Sequence, residues 1–186
     1  MNIHVYVFFL SFLVINTFAK SENVSKAKDS YQILNKMISA FENGNVDAKP
    51  NILTYSTVMN ACAYTNGGSH DRFDAFQIAR SCLKDVLTSK FGVQPNNILF
   101  SAFILAYAKL VSERDNEKNE LLIKSTFNEC RKLGLVDVRV IMNLRRATST
   151  NLFNEMCMGT QLHMKSGRID IQDIPSEWRC NIIQSK

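Results

Sequence analysis

The sequence predicts an all-α protein: a right-handed α-solenoid of about three helix–turn–helix repeats, followed by a non-repeating C-terminal tail. Three observations predict it. A six-residue block, apolar–variable–small–apolar–Ala–polar, occurs at Ile15–Lys20, Met59–Tyr64 and Ile104–Lys109, with intervals of 44 and 45 residues between matched positions. A fixed period of this length marks an array of supersecondary units, each unable to bury its apolar face alone. Apolar residues elsewhere recur at helical spacing, and only 7 Gly and 3 Pro interrupt the 186-residue chain, too few for a loop-rich β-sandwich.

Each element follows the same plan. Pro50 and Pro95 fix φ just ahead of the second and third units and prevent the preceding helix from continuing. Behind them stand Ile52-Leu53-Thr54-Tyr55-Ser56 and Asn97-Ile98-Leu99-Phe100-Ser101, which agree at the apolar second, aromatic fourth and serine fifth positions. Val58, Met59, Cys62 and Ala63 continue the second unit as an apolar stripe. Polar turns are expected at 21–23, 65–71 and 112–119. Second helices then carry Tyr31, Leu34, Met37, Ile38 and Phe41; Phe76, Ala79, Leu83, Val86 and Leu87; and Leu122, Ile123, Phe127, Cys130 and Leu133. Gly44, Gly92 and Gly134 are placed as C′ glycines beyond them. The repeats occupy 8–147, as units 8–51, 52–96, 97–137 and a partial 138–147; residues 148–186 form a C-terminal cap or tail. Within the tail, Arg168–Gln172 reads as a short extended piece, and Trp178 as a cap over the last helix pair.

The opening segment admits two readings. Val5–Phe18 resembles the apolar region of a secretory signal peptide, with small residues at Thr17 and Ala19. Against that, Met1–His4 contains no Lys or Arg, and the first repeat begins inside the same segment. The apolar run is also shorter than a membrane span requires, so a membrane partner is not expected.

Composition excludes several functions. The five cysteines are dispersed and never form C-x-x-C, so neither a zinc site nor a disulfide framework is expected, and reduced thiols in helix cores are. His4, His70 and His163 stand apart from one another and from any cysteine at triad or ligand spacing. His70 and Asp71 are placed in a solvated turn, and Asp170 and Asp173 are read as a solvated pair in the tail. Phosphate-loop and dinucleotide glycine motifs are missing. The chain is therefore expected to be no enzyme and to need no cofactor. Its net charge of +5 suits a polyanionic partner.

The stretches K-P-N-I-L-T-Y-S-T-V-M-N-A-C-A and Q-P-N-N-I-L-F-S-A-F-I-L-A-Y-A-K resemble the start of pentatricopeptide repeats. N-T-F-A-K-S-E-N-V-S-K-A-K-D-S-Y-Q-I-L-N-K-M is similar to the end of a first helix, the turn and the second helix of such a unit. Pro175-Ser176-Glu177-Trp178 resembles a tail found on some algal members of the family. The units here are longer than the family's usual repeat of about 35 residues.

The resemblance implies single-stranded RNA as partner, each unit addressing one base. The base-reading positions then fall on Ser56 with Asn96, implying adenine, and on Ser101 with Asp137, implying guanine. The apolar wedge between bases falls on Phe9, Leu53 and Ile98, and phosphate contact on Lys20 and Lys109, with Tyr64 taking that place in the second unit. Phe12, at the reading position of unit one, cannot hydrogen-bond a base. Asn and Ser near helix starts are also good N-caps, and the apolar positions serve equally as core. Stacking contributes roughly 1–3 kcal/mol per base, against an association cost of roughly 4–15 kcal/mol. Three units are thus expected to bind weakly without further repeats or a partner. The family implies mitochondrial or plastid RNA processing, stability or translation. The alternatives are a protein-interaction scaffold without RNA binding, and a secreted helical protein if residues 1–19 are a signal peptide.

Overall fold

The computed structural model describes Thr17, Ser21 and residues 23–112, 116–164 and 168–182. The first helix of unit one, with Phe9, Phe12 and Lys20, lies outside the described residues, as does the candidate signal peptide. Among the described residues the protein is all-helical: seven α-helices and short 3₁₀ turns, with no strand. The chain divides into two compact units, Met1–Pro95 and Asn96–Lys186.

The first unit holds α1 (Lys26–Glu42), α2 (Ile52–Ala63) and α3 (Ser69–Leu87). Helix α2 begins where the sequence predicts, because Pro50 ends the preceding turn and Asn51 caps the helix. The Asn51 backbone is extended (φ −126°, ψ 178°) and its side-chain oxygen accepts the Thr54 N–H at 3.0 Å, satisfying one of the donors a helix start leaves open. Tyr55, Val58, Met59 and Cys62 of α2 are fully buried, and Leu34 of α1 with Ala79, Cys82 and Val86 of α3 completes the core. At the rim, Lys28 Nζ meets Asp74 Oδ2 at 2.8 Å and the Tyr31 hydroxyl meets Ser81 Oγ at 3.3 Å.

The second unit holds α4 (Asn97–Leu110), α5 (Glu117–Lys132), α6 (Val138–Ala147) and the short α7 (Thr150–Met156). Asn96 and Asp137 repeat the Asn51 arrangement: both are extended, and their side chains accept from Leu99 N–H at 2.9 Å and Val140 N–H at 2.8 Å. Helix α4 is apolar nearly all round, and Leu99, Phe100, Phe103, Ile104 and Tyr107 are buried, as expected of a helix covered on several sides. It packs on α5 and, most extensively, on α6. The tail folds back on α5. Trp178 is buried, its ring edge-to-face with Phe127 (centroids 5.8 Å) and covered by the Arg131 guanidinium at 4.0 Å. Its carbonyl accepts the Val136 N–H at 2.8 Å, and Asn181 N–H donates to Gly134 O at 3.0 Å.

Three local expectations are corrected. Gly134 occupies the C′ position of α5 (φ +66°), and a Cβ there would lie 2.4 Å from Cys180 Sγ, so only glycine fits. After α3, however, the left-handed C′ position belongs to Ser89 (φ 52°), and Gly92 closes a 3₁₀ turn three residues on. His70 and Asp71 are not in a turn. Helix α3 already begins at Ser69, because Asp71 Oδ2 accepts the Gly68 N–H at 3.1 Å, a capping bond that starts the helix early. Arg168–Gln172 is not wholly extended: Asp170 N–H donates to Asp173 Oδ2 at 2.7 Å and Ile171–Asp173 curls into a 3₁₀ turn, a local side-chain bond that outcompetes extension.

Candidate nucleic-acid interface

The first helices of the sequence units, α2, α4 and α6, contain no Asp or Glu. Every carboxylate within α1, α3 and α5 (Asp29, Glu42, Asp71, Asp74, Asp85, Glu117, Glu120, Glu129) lies on a second helix. Positive charge rises in chain order along the first helices: none on α2, Lys109 on α4, and Arg139, Arg145 and Arg146 on α6. A net positive surface, as on α6, attracts polyanions at long range.

The apolar wedge positions are open to solvent. Leu53 is 50% exposed and Ile98 36%, each one step into its helix beyond a capping asparagine. Lys109 and Tyr64, at matched register late in the first helices, are also exposed.

The four polar reading positions are differently placed. Ser56 and Ser101 are 5% and 7% exposed. The Ser56 hydroxyl finds no hydrogen-bond partner among the described residues, an unmade bond costing about 1–3 kcal/mol. Ser101 is engaged: Asn143 Nδ2 on α6 donates to both its Oγ and its backbone carbonyl, each at 3.0 Å. Asn96 acts as the α4 cap. Asp137 caps α6 through Oδ1, while Oδ2 accepts from Asn97 Nδ2 at 2.8 Å and from Arg139 Nε at 3.4 Å. Capping, the second role the sequence left open to Asn96, is the role Asn96 fills, and Asp137, read there only as a base-reading position, caps α6 as well. The structure brings Ser101 and Asp137 onto the contact between α4 and α6, where they join the two helices.

Sequence reasoning missed Asn143, Arg139 and Arg146. The sequence already gave 138–147 as a partial further unit; the unused signal was Asp137, which stands in the same register as Asn51 and Asn96, 41 residues after Asn96.

Burial pushes the Cys62 thiol up to about 12 and Cys157 to about 11, and raises Cys82 and Cys130 as well; such thiols are poor nucleophiles. Among the described residues no group of three or more His, Cys, Asp or Glu side chains could hold a metal ion, and no helix is long and apolar enough to cross a membrane. Comparison with protein-family profiles, curated proteins and solved structures finds no match to this chain.

Proposed function

We propose that this chain is a pentatricopeptide-like helical-repeat protein that binds single-stranded RNA along its first helices. The observation that carries the reading is the confinement of carboxylates: among the described helices α1–α6 every Asp and Glu lies on α1, α3 or α5, and the charges on α4 and α6 are all positive. Leu53 and Ile98 supply apolar contact to unstacked bases, and Lys109 a phosphate contact. Service in mitochondrial or plastid transcript processing, stability or translation belongs to the same proposal and rests on the sequence resemblance alone. Titration of the purified chain into labelled single-stranded RNAs containing adenine–guanine steps, over a range of salt, tests it. Affinity is expected to fall with salt; no binding at low ionic strength overturns the reading.

One observation favours a second reading. Ser56 and Ser101 are closed to an incoming base while Phe73 on α3 and Leu121 on α5 are 61% and 67% exposed, as a protein-interaction scaffold would use them. A cellular partner recovered equally well after nuclease treatment supports that scaffold. If the native chain instead begins near Lys20, as N-terminal sequencing would show, the secretory alternative replaces the organellar one.

A further inference from the structure

Two parallel chains of hydrogen bonds cross from α6 to α4. In one, Arg139 Nε contacts Asp137 Oδ2 at 3.4 Å, and that oxygen accepts from Asn97 at 2.8 Å. In the other, an Arg146 terminal amino group donates to Asn143 Oδ1 at 3.2 Å, and Asn143 donates to Ser101 at 3.0 Å. Each anchors an exposed guanidinium to a buried polar side chain of α6 that also grips α4; Asp137 is 8% exposed and Asn143 7%. The two arginines are seven residues apart, hence on one helix face and about 10 Å apart along its axis. Met142 lies between them on that face, 44% exposed. The Arg139 side chain is itself 63% exposed. With its capping residue, α6 carries three arginines and one aspartate, a net charge of +2.

We infer that the Arg139–Met142–Arg146 face of α6 is a backbone clamp for single-stranded RNA, each guanidinium taking one phosphate and Met142 lying against the sugar or base between them. The inference rests on the RNA-binding reading above and extends it to a helix, the partial unit 138–147, in which the sequence named no RNA contact. Three features argue for it over a merely solvated face. A guanidinium presents several donors in a planar fork that matches a phosphate, and a polar neighbour that accepts from it, as Asp137 does from Arg139 and Asn143 from Arg146, fixes its orientation. A side chain already fixed loses less conformational freedom on binding. The exposed thioether is soft and polarizable, suited to contact with a π-face, and an exposed methionine has no part in neutralising Asp137.

The test compares the whole chain with Arg139→Gln/Arg146→Gln and Arg139→Lys/Arg146→Lys, measuring affinity for a short single-stranded RNA as a function of salt. Each phosphate neutralised on a single strand contributes about 0.7 to the slope of log affinity against log salt. The glutamine pair is expected to lower that slope by about 1.4, and the lysine pair to keep it. Should the glutamine pair lose helicity by circular dichroism, Arg146→Gln alone, which leaves the Asp137 ion pair intact, must lower the slope by about 0.7. An unchanged slope in a folded glutamine variant overturns the clamp and leaves the RNA-binding reading standing. No salt-dependent binding by the unaltered chain removes that reading and the clamp with it. Equal, arginine-dependent binding of polyglutamate or of anionic lipid vesicles also overturns the clamp, since the face would then select charge and not RNA.

Discussion

At the scale of single residues, the strongest local determinants are the three caps. Each satisfies an amide that nothing else in its helix can reach, so replacing it with alanine costs about 1 kcal/mol. We expect that loss for Asn51→Ala and Asn96→Ala in chemical denaturation. Asp137→Ala should approach about 2 kcal/mol, the upper end of the cap range, because it also strands Asn97 Nδ2 and Arg139. Equal losses at all three sites would mean the lateral bonds contribute nothing. The cysteines provide a second check. Four are buried and Cys180 is exposed, so brief alkylation of the native protein should label one thiol, at Cys180 by peptide mass mapping. The caps at Asn51 and Asn96 were legible in the sequence, since a cap is local and Pro, Asn and three residues of helix suffice to specify it; Asp137, which follows Val136, carries no such proline signal. The Ser101–Asn143 pair was not, because it joins residues 42 positions apart and depends on how α4 and α6 pack.

At the scale of elements, the helices were readable from periodicity. Errors clustered where one side chain shifts a boundary, as Asp71 does at α3 and Asp173 in the tail. The tail's folding was legible only at Trp178, whose bulk demands burial. Its indole fills the site between Phe127 and Arg131, so Trp178→Ala should cost about 3–5 kcal/mol. Hydrogen exchange at Val136, whose N–H donates to the Trp178 carbonyl, should quicken in parallel. A variant within about 0.5 kcal/mol of the parent, the range of an ordinary surface change, would show that the tail does not brace α5. The α1–α3 contact is pH-sensitive at its rim. The hydrogen bond from Lys28 holds the Asp74 carboxyl below its ordinary 3.8, and the same bond holds the Lys28 ammonium above its ordinary 10.5. The carboxylate's contribution is therefore present above pH 3.8 and fades as pH falls through its lowered value. The ammonium's is complete below pH 10.5 and fades as pH rises through its raised value. Asp74→Asn should accordingly lower the melting temperature at neutral pH and converge on the parent in strong acid; a constant difference across that range would exclude the ion pair as its cause.

At the scale of the whole molecule, charge was legible and selectivity was not. A net charge of +5 can be counted from the sequence, but its segregation emerges only once helix boundaries divide first helices from second. Selectivity depends on which polar groups can reach a base, and here burial decides. Ser56 and Ser101 are both closed off, and Asn96 and Asp137 are engaged in capping. On the proposed reading, what remains exposed, Leu53, Ile98, Met142 and the basic side chains, would meet any base or phosphate alike. The chain should therefore bind single-stranded RNA with a dissociation constant on the order of 10⁻⁴ to 10⁻⁶ M at physiological salt, the non-specific range. Exchanging adenine–guanine steps for pyrimidines should change it by less than about tenfold, under about 1.4 kcal/mol. Fluorescence anisotropy with matched oligonucleotides measures both quantities. A nanomolar constant that collapses on such an exchange would require Ser56 or Ser101 to emerge from its helix contact on binding, and Asn143→Ala, which releases Ser101, would then sharpen the preference at that base.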